Sequence, residues 1–161
     1  VPGALPAQIP FRHLCNLLLI YDGRVDAALA AMPGYGDLDE GLRERARQRA
    51  HCAWRWVQDF APEDFRFRVV DPAEQEPWDL SDSERRAVHA LRDLVAGGLE
   101  DMSDREVQDA IYEVARGAGM EPKDFFVTLY RVLVNDERGP RLGGFLKTLG
   151  AARVLEILEP Y

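Results

Sequence analysis

Cysteine is scarce in this sequence. Cys15 and Cys52 are its only two, too few for a disulfide framework, so packing must hold the fold together. Their neighbours, Leu14, Leu17 and Leu18 for one and Ala53 and Trp54 for the other, predict that both are small buried hydrophobes in a reducing, cytoplasmic setting. No apolar run approaches the roughly 20 residues that cross a bilayer, which argues against membrane insertion. Residues 1–9 lack a positive n-region and a long apolar h-region, and the first residue is not Met. They read as a Pro-rich joint in a piece of a longer protein. Histidine is rare as well: His13, His51 and His89 fall in no Cys-x-x-Cys, His-x-x-x-His or Glu-x-x-His spacing, so no metal centre is expected. Lys123 and Lys147 are the only lysines among 20 basic residues, a composition typical of a GC-rich genome. Positive charge is in deficit overall, and a net charge of −8 excludes indiscriminate polyanion binding. Any nucleic-acid face must be a local basic patch.

What is present is helical periodicity. Pro10 suits a first turn, where its missing N–H would be unpaired anyway, and Phe11, Leu14, Leu17 and Leu18 then share one stripe up to Asp22-Gly23. A short helix is predicted over 25–32. Pro33-Gly34-Tyr35-Gly36 is a turn, after which Asp37 or Asp39 caps a helix to about residue 60 with Leu42, Ala46, Ala53, Val57 and Phe60 buried. Phe65-Arg66-Phe67-Arg68-Val69 alternates with period two between prolines, predicting an extended connector or a short edge strand. Ser81-x-x-Glu84 and Ser103-x-x-Glu106 have capping-box spacing, and each should start a helix. The second of these should bury Val107, Ala110, Ile111 and Val114. Pro122 opens a further helix that fades at Asn135, and two more are expected over 140–149 and up to about 158. The fold class is all-α: a multi-helix array with short connections, in two small subdomains, 1–70 and 71–161, with the connector at their boundary.

Few residues point to chemistry. Glu106, Asp109 and Glu113 share a helical face, but without a partnering His they read as a solvated acidic surface. Gly34-Tyr35-Gly36 and Gly143-Gly144 lack the further glycine, Lys and Ser/Thr of a phosphate loop and read as turn and close-packing positions. The basic residues say more. Arg43, Arg45, Arg47, Arg49 and Arg55 stand against Glu44, although their spacing spreads them around the helix. Arg131, Arg138, Arg141 and Lys147 stand against Asp136 and Glu137, beside Tyr130 and Phe145. Basic and aromatic residues interleaved at a helix start can hold phosphates and stack unpaired bases. The ordinary alternative is a solvated surface over an aromatic core.

Several ordered segments carry a family resemblance. Gln8-Ile9-Pro10-Phe11-Arg12-His13-Leu14-Cys15-Asn16-Leu17, Trp56-Val57-Gln58-Asp59-Phe60-Ala61-Pro62-Glu63, Asp109-Ala110-Ile111-Tyr112-Glu113-Val114-Ala115, Phe125-Phe126-Val127-Thr128-Leu129-Tyr130-Arg131-Val132-Leu133 and Glu137-Arg138-Gly139-Pro140-Arg141-Leu142-Gly143-Gly144-Phe145-Leu146 resemble the part of class I lysyl-tRNA synthetases that follows the catalytic core. The match spans nearly the whole chain and is poorest over 71–98.

The resemblance implies an α-helix-cage, C-terminal anticodon-binding region in a parent enzyme that attaches lysine to tRNA with ATP. It implies lysine tRNA and the parent's own catalytic domain as partners, and no membrane. The His-Ile-Gly-His-like and Lys-Met-Ser-Lys-Ser-like nucleotide-binding signatures of class I synthetases do not occur here. The chain is therefore expected to bind the anticodon stem–loop without catalytic residues, cofactor or metal of its own, while ATP belongs to the parent's catalytic domain. Arg138, Arg141 and Lys147, with Arg131 behind them, are the expected phosphate or base contacts. Tyr130, Phe145 and Trp54 are stacking candidates whose alternative place is the core. Phe11, His13 and Asn16 have a bracing role at the junction with the catalytic part. Two other readings stay open: an acidic helical protein-interaction module that ignores RNA, and a small helical enzyme with a Cys/His site.

Overall fold

The computed structural model describes residues 9–161. Gln8 of the opening matched segment, and all but Ile9 of the predicted Pro-rich joint, lie outside the described residues. Every regular element among the described residues is helical. The chain packs as two units, one ending at Arg66 and the other running over Phe67–Tyr161.

The first unit is built from α1 (Phe11–Ile20), α2 (Val25–Ala30) and α3 (Glu40–Asp59), with single 3-10 turns at Tyr35–Asp37 and Glu63–Phe65. Pro10 precedes α1, and the chain reverses after it through Asp22 (φ 49) and Gly23 (φ 74), both in the left-handed region. Gly23 is required twice over, because a Cβ there would also lie 2.4 Å from Cε2 of Trp54. Asp39 caps α3, its Oδ1 accepting from the Leu42 N–H at 2.8 Å. The three helices pack pairwise. Leu14, Leu17 and Leu18 of α1 are essentially fully buried, each stabilising the unit by about 1.5–3 kcal/mol relative to exposure.

The second unit contains α4 (Asp82–Ala96), a 3-10 turn at Leu99–Asp101, α5 (Asp104–Gly117), α6 (Pro122–Val134), α7 (Leu142–Leu149) and α8 (Ala151–Leu158). Both predicted capping boxes form, with Ser81 and Glu84 at α4 and Ser103 and Glu106 at α5. Pro122 opens α6, and Asn135 ends it in the left-handed region at φ 52. Leu91, Ile111, Phe125, Leu129, Leu133, Leu146 and Leu158 are fully buried where these helices meet.

Four expectations need correction. No strand forms among the described residues, although Arg66 and Arg68 are exposed between half-buried Phe65, Phe67 and Val69 as the alternation predicted. A strand needs a ladder of backbone bonds, and this segment makes one such bond to another element, from the Val70 N–H to the Leu133 carbonyl at 2.8 Å, while the Val70 carbonyl is taken by the Arg153 side chain at 3.3 Å. Cys52 is exposed, whereas Cys15 is buried, because α3 has buried positions only at Ala46, Ala50, Ala53 and Val57. Phe60, placed in that stripe by its spacing, is 73% exposed because α3 ends one residue before it. On α5 the stripe is Val107, Ile111 and Ala115, with Ala110 and Val114 at its half-buried edges.

Candidate functional site

The basic segment 131–147 is a loop held between two helices. After α6 ends at Asn135, Asp136 Oδ1 accepts from the N–H groups of Glu137 at 2.6 Å and Arg138 at 3.2 Å, closing a tight turn. Tyr130 of α6 props the rest. Its hydroxyl donates to the Pro140 carbonyl at 3.0 Å, and Gly139 lies so close to the ring that a Cβ there would be 2.7 Å from Cδ1. Burial, with a lesser push from Tyr112, raises the Tyr130 phenol above its ordinary range, so it remains a donor. The start of α7 is pressed onto α5, where the Gly143 N–H donates to Gln108 Oε1 at 2.9 Å.

The four basic residues of this segment divide into two kinds. Arg131 is half-buried, pairs with Glu137 at 2.7 Å and lies 5.7 Å from the centre of the Trp78 ring. Lys147 donates to the Met102 carbonyl, tying α7 to the loop before α5. Arg138 and Arg141 are exposed and form no ion pair among the described residues. The helix expected from Pro140 begins at Leu142, so Arg141 stands at its N-cap and not inside its first turn. Nor is that turn an open row of donors. Gln108 holds one N–H, and an Asp104 carboxylate oxygen stands 3.0 Å from where a Cβ of Gly144 would be. The acceptors that α5 brings here were too distant in sequence to anticipate.

Of the three aromatic residues named from sequence, Trp54 and Tyr130 are half-buried, with Gly23 close against the first ring and Gly139 against the second. Phe145 is 3% exposed and packs edge-on against Phe67, with ring centres 5.4 Å apart. Trp78, which the sequence reading missed, is 40% exposed and carries Arg131 over its ring. It borders an open cavity of about 680 Å3, but Asp71, Glu74, Glu76 and Asp79 line that space against Arg68 alone, so it repels phosphate.

In the first unit the arginines of α3 divide the same way. Arg43 donates to the Gly36 carbonyl. Arg47 gathers Asp26 and Glu44 at 3.1 Å each and Glu40 at 3.7 Å. Arg45, Arg49 and Arg55 are exposed without ion-pair partners among the described residues. Phe11 packs edge-on against Trp56 at 5.2 Å, His13 is exposed and Asn16 is half-buried.

The acidic positions serve the fold. Glu106 belongs to its capping box, while Asp109 and Glu113 pair with Arg105 and Arg116 at 3.8 and 2.7 Å. Hydrogen bonds from Ser103 hold the Glu106 carboxyl below its ordinary range. Burial raises the Glu84 carboxyl, but the Ser81 N–H, the Thr128 hydroxyl, the Ser81 hydroxyl and the Arg131 charge together bring it below its ordinary value. Among the described residues no three or more His, Cys, Asp or Glu side chains group as metal ligands. No helix there is long and apolar enough to cross a membrane.

No protein-family model matches the chain. Over 162 residues it is 35% identical to a lysine–tRNA ligase of Treponema pallidum, covering 100% of this chain and 30% of that protein. The lysine–tRNA ligase of Methanopyrus kandleri is 35% identical over 174 residues, 99% of this chain and 30% of the relative. That of Pyrococcus horikoshii is 32% identical over 163 residues, 98% and 30%. The chain thus spans about 30% of the length of these relatives and is related to one segment of them from end to end.

Proposed function

We propose that this chain, a helical segment related to lysine–tRNA ligases, is the tRNA anticodon-binding region of a class I enzyme of that kind. Its whole-length similarity to these ligases carries the reading. In the full protein the region would grip the anticodon stem–loop of lysine tRNA and so position the tRNA for ATP-dependent aminoacylation in a separate catalytic domain. No residue of this chain is assigned to lysine, ATP or a metal. The setting is cytoplasmic, where tRNA is charged.

Arg138 and Arg141 are the groups assigned to RNA. They sit on a loop already fixed by Tyr130 and Asp136, so binding does not have to order the backbone first. Guanidinium groups free of carboxylates can hold a phosphate or the edge of an unstacked base. Arg131 and Lys147 act behind them, one through Glu137 and Trp78 and the other through the Met102 carbonyl. Tyr130 is a positioning residue. Phe145 is too deeply buried to stack on a base, which leaves half-buried Trp54 and Tyr130 as the candidates. On the acidic face of α5, Asp109 and Glu113 pair with Arg105 and Arg116 of the same helix and Glu106 closes the capping box, so only part of that face is left for a protein partner.

The test is titration of wild type and Arg138→Ala/Arg141→Ala with anticodon stem–loops of lysine and non-lysine tRNAs at two salt concentrations. The double variant is expected to lose on the order of 1–3 kcal/mol for each base contact removed, and its salt slope should fall by about one for each phosphate contact removed. Equal binding by both proteins, with unchanged circular dichroism, would remove these arginines from the site. Equal binding of all stem–loops would remove the anticodon specificity.

A further inference from the structure

In the first unit, the turn before α3 and the first half of that helix enclose a cavity of about 220 Å3. Ile9, Met32, Tyr35, Leu38 and Leu42 give it largely apolar walls, and Arg45 and Arg49 are the charged residues of its lining. The arrangement follows from helical spacing. Positions 42, 45 and 49 succeed one another at three and four residues, so a single face of α3 runs from leucine to two arginines. Both arginines are exposed and form no ion pair among the described residues, while the neighbouring Arg43 and Arg47 are engaged by Gly36 and by three carboxylates.

An apolar recess beside two unopposed guanidiniums, in a chain of net charge −8, matches a ligand that is flat and apolar at one end and anionic at the other. A wholly apolar ligand leaves the arginines without a role, and a bare anion leaves the cavity empty. Cavities of about 150 Å3 take up a benzene ring, so 220 Å3 admits a nucleobase. Paired, stacked bases cannot reach into such a recess, but bases of single-stranded loops and ends can be splayed out. We infer that this pocket receives one unstacked nucleotide of RNA, its base in the cavity and its phosphate between Arg45 and Arg49. The inference rests on the RNA-binding reading above for the class of its ligand, and it adds a site outside the segment 131–147.

Methionine supplies the probe, because Met32 lines the cavity whereas Met102 and Met120, the other two of the three, belong to the second unit. The chain labelled with 13C at its methionine methyls is titrated with the four ribonucleoside 5′-monophosphates, with inorganic phosphate, and with the lysine-tRNA anticodon stem–loop. The monophosphates are expected to shift Met32 selectively, and inorganic phosphate to shift it far less. Arg45→Ala/Arg49→Ala should weaken that response by about tenfold or more, the scale of lost charge-assisted hydrogen bonds. Leu42→Phe, which fills the recess and keeps both arginines, should abolish it. A Met32 signal unmoved by all four nucleotides overturns the inference, as does an equal response to inorganic phosphate or one seen only in a chain beginning at Ile9. Stem–loop binding through Arg138 and Arg141, with Met32 silent to every nucleotide, would sink the pocket and spare the anticodon reading. Nucleotides that shift Met32 in a chain unable to bind the stem–loop would do the reverse.

Discussion

The start of α7 and the turn before α3 both set glycines beside arginines, and they treat space in opposite ways. At Gly143 a Cβ would stand 2.1 Å from the Asp104 carbonyl oxygen, so two helices meet backbone to backbone. At Gly34 and Gly36 nothing lies within 4 Å of a built Cβ, and an open recess adjoins the turn. The difference separates two kinds of work. Where the chain is closed, cations are absorbed by the fold, as Lys147 is by the Met102 carbonyl. Where it is open, or where a loop stands clear as at Arg138, the cations are exposed and form no ion pair among the described residues.

The largest effect expected from this contrast is on stability. Gly143→Ala must push α7 off α5, because the obstruction is backbone and cannot rotate away. A cost of about 2–4 kcal/mol is expected in urea denaturation, outweighing the helix propensity gained from alanine. Gly36→Ala meets no atom and has no positive φ to violate, so it should leave stability unchanged or raise it by up to about 1 kcal/mol. Similar losses at the two glycines would break the comparison.

The two capping boxes sharpen it at a smaller scale. Glu84 does more than close its own box, since its Oε1 accepts from the Thr128 hydroxyl at 2.7 Å and so joins α4 to α6. Glu106 closes its box in solvent. Glu84→Gln is expected to cost about 1–2 kcal/mol at pH 7, and Glu106→Gln less. The folded Glu84 value lies below the ordinary 4.5, so its contribution is complete above that pH and is lost as the pH falls through the folded value. In urea titrations from pH 7 to pH 3 the penalty of Glu84→Gln should therefore shrink on acidification. A penalty independent of pH would show that packing, and not the carboxylate, is what the substitution removes.

These results mark what the sequence could convey. Helix starts and stops were legible because they depend on neighbours three or four residues away: Ser81 with Glu84, Ser103 with Glu106, Pro122 at N1 and Asn135 as the final left-handed residue. The close-packing role of Gly143 was also readable from its pairing with Gly144, though not the helix it packs against. The sorting of cations was not legible. Arg131 is taken by Glu137 six residues on, Arg47 by Asp26 from another helix, and Lys147 by a carbonyl 45 residues back. Periodicity carries no information on such partners. The same blindness hid Trp78, which lies in a segment without helical period, and put Phe60 on a buried stripe that its helix no longer reaches.

The smallest expected effect tests whether the two classes of arginine on α3 are distinct. Arg47 faces three carboxylates, but its side chain is 35% exposed and those of Asp26, Glu40 and Glu44 are 82%, 77% and 54% exposed. Water and salt screen such a network, and holding long side chains together costs entropy, so Arg47→Ala should lower stability only marginally. Near 1 M salt, where the screening length is about 3 Å, even that loss should vanish. Arg45→Ala, two residues earlier on the opposite side of the helix, has no partner among the described residues to lose and should leave the urea midpoint unchanged. Its effect is expected instead in the nucleotide titration read at Met32, where Arg47→Ala should be silent. If Arg45→Ala destabilised the chain as much as Arg47→Ala, its guanidinium would already be spoken for by the fold. The distinction between structural and available cations on this helix would then fail.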